Sequence, residues 1–286
     1  MRILVTGANG FIGYRLVISL KEQGHDVLCH TRDIGDISSY DALDAFKNVD
    51  HVFHMAAKTF VPASWDHFYE YFQTNVVGTM TVLEYCRKNG CSLTMMSSYV
   101  YGQPKYLPID ENHPVEGMSP YHETKIICEE LCGFYNRQFG VKITVLRPFN
   151  VYGKGQNADF LIPKIYRQAV DQNVKQIMVM NLTPKRDYVY IDDVVSALIA
   201  TLHFSKQYSI YNVGSGVSTS VEDVILAVLK ATGIQKPYGS TNQKRAEEVS
   251  DCVADISAIR RDLGYFPKYS LMDGLKAWNV EEQIKD

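Results

Sequence analysis

A chain of 286 residues that is 46% hydrophobic can bury a large core, as one α/β domain or as a domain with a smaller companion. Its formal charge of −3 is nearly balanced, and no basic cluster is longer than the pairs Lys185-Arg186, Lys244-Arg245 and Arg260-Arg261, which argues against nucleic acid as a partner. No run reaches the length of a membrane span, the start has no leader pattern, and the six cysteines form no C-x-x-C pair. The sequence therefore predicts a cytoplasmic protein with reduced thiols, no membrane partner and no metal.

The chain opens on Arg2 to Gly13, an apolar run broken by Gly7, Gly10 and Gly13. It reads as a strand, a tight turn and a helix. Gly7 permits the sharp turn, Gly10 lets backbone N–H groups approach a pyrophosphate, and Gly13 lets the helix lie close to the sheet. The positive end of that helix, with Phe11 and Ile12 in its first turn, then faces phosphates. The helix ends near Gly24, and Asp26 to His30 follows as a second strand. Asp36-Ile37 begins a short return to His51 to Met55, an apolar run ending in Ala56-Ala57 as a buried parallel strand above a cofactor would. A long helix covers Phe68 to Lys88, with Asn75 inside it and Asn89-Gly90 as its stop.

Ser92 to Ser97 reads as a strand that delivers Ser97 and Ser98 at its C-terminal end, where ligands of open α/β sheets collect. After a Pro-rich loop, Ser119-Pro120-Tyr121 reads as a cap, a first-turn proline and the start of a helix running to about Phe139. Val141 to Leu146 is the next strand, ending in Arg147-Pro148-Phe149-Asn150. Beyond it the patterning predicts helices over 160–173, 192–202, 221–232, 256–263 and 271–283, and strands over 177–180 and 209–213. This alternation predicts a doubly wound parallel sheet of the Rossmann type with a smaller C-terminal α/β substrate-binding domain. Residues 1–150, rejoined by about 188–215, would form the dinucleotide-binding domain, and 151–187 with 216–286 the substrate domain.

Tyr121 and Lys125 sit four apart on a predicted helix, so both side chains point to one side. A tyrosine has a pKa of about 10 and must drop by roughly three units to exchange protons near neutral pH. A nearby ammonium and the positive end of the helix would both favour its phenolate. Such pairs are common on helix surfaces. The glycine turn and the serine-bearing strand upstream make this one a candidate for chemistry.

Together these segments resemble the extended short-chain dehydrogenase/reductase family, and within it the NAD-dependent epimerase/dehydratase enzymes that modify nucleotide sugars. The resemblance covers nearly the whole chain. It rests on TGANGFIG at Thr6 to Gly13, HMAAK at His54 to Lys58, TNVVGT at Thr74 to Thr79, SSYVYG at Ser97 to Gly102, YHETK at Tyr121 to Lys125, LRPFNVYG at Leu146 to Gly153 and RDYVYIDDV at Arg186 to Val194. It implies that Tyr121 moves a proton on the reacting sugar oxygen, that Ser97 hydrogen-bonds that oxygen, and that Lys125 also holds the nicotinamide ribose. Asp36 and Ile37 would meet the adenine. Met55, Ala56, Ala57, Lys58 and Pro148 would flank the cofactor, and Asn75 would brace its site. Ser98 joins the implied substrate set with Asn150 and Arg186, which match positions that bind a nucleotide sugar's diphosphate or ribose, and with Arg245 as a second phosphate arm. Thr59, Phe60, Pro62, Tyr99 and Phe160 are candidates for sugar choice by position.

Two departures narrow the reading. Dehydratases of this family carry Asp and Glu after the catalytic hydroxyl, where this chain has Ser98 and Tyr99, so sugar dehydration is disfavoured. After the second strand, NAD-selective members place an acid, whereas Thr31-Arg32 resembles the NADP-binding arrangement. Asp33 keeps NAD open. The sequence thus favours an enzyme that uses NADP(H), with NAD(H) as the alternative, to reduce the 4-keto group of a nucleotide-diphosphate 6-deoxy sugar. A sugar 4-epimerase with retained NAD is the second reading, and a non-enzymatic dinucleotide sensor the third. The resemblance also implies a homodimer built on the helices holding Asn75 and Tyr121, with Val76, Met80, Leu83, Ile127, Leu131 and Phe134 as candidate apolar surface.

Overall fold

The computed structural model describes residues 1–203, 206–243 and 248–283. The first half lays down β1 (Arg2–Thr6), α1 (Phe11–Glu22), β2 (Asp26–His30), β3 (His51–His54), α2 (Val61–Asp66) and α3 (Phe68–Tyr71). A π-turn (Phe72–Val77), α4 (Gly78–Asn89), β4 (Ser92–Met96), α5 (Pro120–Phe139) and β5 (Ile143–Pro148) follow. The second half adds β6 (Asn150–Tyr152), α6 (Leu161–Val170), β7 (Ile177–Val179), β8 (Lys185–Tyr190), α7 (Ile191–Ala200) and β9 (Tyr208–Val213). It ends with β10 (Ser218–Ser220), α8 (Val221–Thr232), β11 (Tyr238–Ser240), α9 (Ser257–Leu263) and α10 (Leu271–Gln283).

Six strands form one parallel sheet in the order β2-β1-β3-β4-β5-β9. Strand side chains alternate between two cores. Ile3, Val5, Phe53 and Leu146 pack with Leu16 and Leu20 of α1 and Val194 and Leu198 of α7. Leu4, Val52, Leu93 and Val145 pack with Val82 and Leu83 of α4 and Cys128 and Cys132 of α5. Helices therefore cover both faces, which is why these strands read as nearly continuous apolar runs. The order reverses at β1, whose neighbours are β2 on one side and β3 on the other. The crevice beyond their C-terminal ends is the place where such sheets bind ligands.

Two smaller sheets, β10-β8-β6 and β11-β7, lie outside the central one. The sequence reading missed β6, β8, β10 and β11. Three of these have three residues each, too few for an alternating pattern to declare itself, and β8 begins on the charged run Lys185-Arg186-Asp187. The predicted helix over Phe68 to Lys88 is likewise broken by the π-turn. There the Asn75 carbonyl accepts the Thr79 hydroxyl at 2.6 Å and the Cys128 thiol at 3.2 Å, side-chain donors that compete with the regular helical bond. Between β2 and β3 the return is a series of turns with no strand.

Candidate active site

The glycine turn after β1 has no room for side chains. Gly7 sits at φ +66°, and a Cβ there would lie 2.8 Å from the Ala56 nitrogen; one on Gly13 would lie 2.1 Å from the Gly7 carbonyl oxygen. Gly10 donates to that same carbonyl at 2.9 Å. Gly10 caps α1 without any side-chain hydrogen bond, so Phe11, Ile12 and Gly13 begin a helix whose positive end carries no protein anion. A cradle that a Cβ would fill, beside an uncapped helix start, fits a dinucleotide's pyrophosphate.

Parallel strands bring the other candidates to this edge. Met55, Ala56, Ala57 and Lys58 follow β3, Ser97 and Ser98 follow β4, and Pro148 ends β5. Thr31 and Arg32 follow β2, and Arg32 joins Ala57, Lys58, Phe60, Glu70 and Tyr71 around a cavity of about 320 Å³. Lys58 pairs its ammonium with Glu70. Of the adenine candidates, Asp36 is exposed and accepts the Ser38 backbone and hydroxyl at 2.9 Å each, bonds that hold its carboxyl below the usual range. Ile37 instead turns into the core, where a Cβ on Gly78 would touch its side chain at 2.8 Å. Phe60 and Phe160, distant in sequence, meet edge to face at 5.9 Å.

Asn75 ties these pieces together from the π-turn. Its Oδ1 accepts the Lys58 amide at 2.8 Å, and its Nδ2 donates to the Lys58 carbonyl at 3.1 Å and to Thr124 Oγ1 at 2.9 Å. The cofactor-flanking segment and α5 are thus held by one side chain. On α5, Ser119 Oγ accepts the His122 amide at 3.3 Å as the helix cap, with Pro120 behind it. Tyr121 and Lys125 are both 6% exposed, and the Lys125 ammonium donates to the Met96 carbonyl at 2.9 Å.

The expected lowering of the tyrosine pKa is not what this environment produces. Burial pushes the Tyr121 phenol up to about 12, opposed by the Ser98 hydroxyl, and burial pushes the Lys125 ammonium down. The phenolate loses more by leaving water than its surroundings return, because the lysine's charge is itself disfavoured and directed at a carbonyl. The two serines divide: Ser98 is the polar neighbour of Tyr121, while Ser97 donates to Glu129 Oε1 at 2.5 Å. Glu129 is held by Arg147 through Nε at 3.0 Å and Nη2 at 2.6 Å, and Arg147 reaches Tyr101 at 3.0 Å. Sequence reasoning passed over this buried pair. Its signal was Glu129 standing four residues after Lys125, on the same helix face.

On the substrate side, Asn150 Nδ2 donates to the Asp187 carbonyl at 3.4 Å, and Arg186 Nη1 donates to the carbonyls of Lys185 at 2.7 Å and Val249 at 2.6 Å. Asp187 turns away from Arg186 and accepts from Ser215, Gly216 and Ala254. Arg245 lies outside the described residues. Among the described residues no helix is long and apolar enough to cross a membrane, and the cysteines are free.

A parallel sheet with a glycine turn at its switch point, and a buried Tyr-Lys pair across the crevice, defines an extended short-chain dehydrogenase/reductase. The profile of the NAD-dependent epimerase/dehydratase family matches residues 3–214, and the chain belongs to that family. A UDP-glucose 4-epimerase of Lactobacillus helveticus is 29% identical over 315 residues, covering 97% of this chain and 95% of its own. MoeE5, solved with UDP-glucuronic acid and NAD, is similar at a TM-score of 0.89 and 30% identity, over 100% of this chain and 99% of its own. RMD from Pseudomonas aeruginosa, complexed with NADPH, is similar at 0.90 and 26% identity, over 100% and 99%.

Proposed function

We propose that this protein is a nucleotide-sugar 4-epimerase that retains NAD, oxidising and re-reducing its substrate at C4. The observation that carries the reading is the end-to-end similarity to a UDP-glucose 4-epimerase. The sequence alone ranked 4-keto reduction first. The relatives favour the alternative, and MoeE5, which binds a UDP-sugar together with NAD, supports it as well.

The dinucleotide, when bound, supplies hydride acceptance and return. Tyr121 takes the proton of the sugar 4-hydroxyl and gives it back to the 4-oxygen. Lys125, fixed by Met96 through one of its three N–H donors, has donors left for the nicotinamide ribose. Ser98, beside the phenol, orients the 4-oxygen, and the Glu129–Arg147 pair sets the position of Ser97. Asn150, Arg186 and Arg245 hold the diphosphate, for which guanidinium forks are suited. A two-fold homodimer through the outward faces of α4 and α5 belongs to the same proposal. Met80 and Phe134 are 43% and 44% exposed there, whereas Val76 and Leu83 face the core.

Reduction with NADPH stays the second reading because of Arg32, exposed at the rim of the cavity beside Ala57. One experiment separates them. Under the epimerase reading, UDP-glucose becomes UDP-galactose with no net change in nicotinamide absorbance, and denaturing the protein releases NAD. NADPH oxidised in proportion to added 4-keto sugar, with no epimer formed, would overturn it in favour of the reductase.

A further inference from the structure

Tyr188 lies in the middle of β8 with its ring in the core, 6% exposed, and its hydroxyl has no hydrogen-bond partner among the described residues. A buried hydroxyl without a partner destabilises a fold, and phenylalanine would fill the same space without that loss. The position of the hydroxyl suggests what offsets the loss. Asn150 of β6 is the direct register partner of Tyr188, and Arg186 precedes it by two residues on the same strand face. Asp187, between them, turns the other way to Ser215 and Ala254.

Among the described residues, Arg186 and Cys252 act on the Tyr188 phenol beside its burial, and the same two act on Tyr99. Tyr99 follows Ser98 directly and is anchored to the Gly102 carbonyl at 2.7 Å. Tyr188 and Tyr99 thus share Arg186 and Cys252 as neighbours, and the register of β6 and β8 sets Asn150 beside Tyr188. Burial pushes its phenol well up from the ordinary value, so it stays an O–H donor through the physiological range. Tyr190, two residues on, also has a hydroxyl unpartnered among the described residues, but it packs on Tyr152 at 5.5 Å and Tyr269 at 4.7 Å, and the charges that act on it are Glu281, Asp192 and Arg15. It belongs to a different neighbourhood.

We propose that the Tyr188 hydroxyl donates a hydrogen bond to the diphosphate of the nucleotide sugar, completing a cluster with Asn150 and Arg186. The assignment rests on the nucleotide-sugar reading above. Its test is calorimetric titration of UDP into wild type and Tyr188→Phe, each loaded with NAD, with thermal melts of both before and after UDP.

Tyr188→Phe should bind UDP about tenfold more weakly, the loss of one hydrogen bond to a charged acceptor. Without UDP it should melt no lower than wild type, because it sheds an unpaired buried hydroxyl. Binding of UDP within twofold of wild type would overturn the inference alone, as would a clearly lower melting temperature without UDP, which would mean that the hydroxyl has a protein partner. Failure of wild type to bind UDP would overturn the nucleotide-sugar reading itself, and this inference with it.

Discussion

At the scale of single residues, the proposed chemistry turns on whether Tyr121 can hold and release a proton in a place where burial opposes its charge. Under the proposed mechanism the phenol must ionise before it can take the sugar proton, so the rate of nicotinamide reduction in a single turnover should climb with pH through the neutral range. The sign follows from the raised pKa: the active phenolate is the minor form below about 12 and grows as pH rises. Tyr121→Phe should bind nucleotide normally yet lose turnover by roughly a hundredfold or more. Ser98→Ala should shift the rate profile toward higher pH by roughly half to one unit, since the lost hydroxyl is the group that favours ionisation. Stopped-flow absorbance would check all three, and a flat wild-type profile or an unimpaired Tyr121→Phe would refute the role.

At the scale of elements, the β1 turn and α1 can serve as the proposed cofactor cradle only while the helix lies against the turn. Gly13→Ala puts a methyl 2.1 Å from a backbone oxygen that cannot rotate away. It should destabilise the fold by about 1–3 kcal/mol and weaken dinucleotide binding. Urea titration should show that loss for Gly13→Ala and almost none for Gly35→Ala, which has nothing within 4 Å of its Cβ. Strand β3 carries a different liability. His51 and His54 are buried neutral between hydroxyls, and desolvation lowers each to about 3. The unfolded chain gains their protons below about pH 6.5 while the fold does not, so their stability contribution is complete above that pH and is lost toward pH 3. The loss is about 1.4 kcal/mol per pH unit for each histidine. His51→Asn should remove one such slope from stability measured between pH 6 and 4. An unchanged slope would show that His51 titrates normally in the fold.

At the scale of the whole molecule, the proposed dimer follows from which apolar residues the packing leaves outside. α4 and α5 lie side by side, Ile127 and Leu131 are partly buried against the core, and Met80 and Phe134 point outward. Two copies joined by a two-fold axis would cover that surface. Light scattering at micromolar concentration should give twice the chain mass for wild type and a monomer for Phe134→Asp. A wild-type monomer would count against the assembly.

Local patterns were enough to read the glycine turn, the Ser119 cap of α5 and the helices over 221–232 and 271–283, because each is governed by neighbours within a turn or two of helix. The same holds for the Tyr121–Lys125 pairing, which is a matter of helical period. The short strands β6, β10 and β11 were illegible, since they exist only where a partner strand supplies their hydrogen bonds, whereas β7, equally short, announced itself by its apolar run Ile177-Met178-Val179. The π-turn was illegible because it depends on Thr79 and on Cys128 of another helix reaching the Asn75 carbonyl. Tertiary structure alone decided that Ser97 serves Glu129 while Ser98 faces the phenol, that burial raises the tyrosine's pKa, and that Ile37 belongs to the core. Each of these depends on how much water and which distant groups surround an atom, and spacing along the chain carries no record of either.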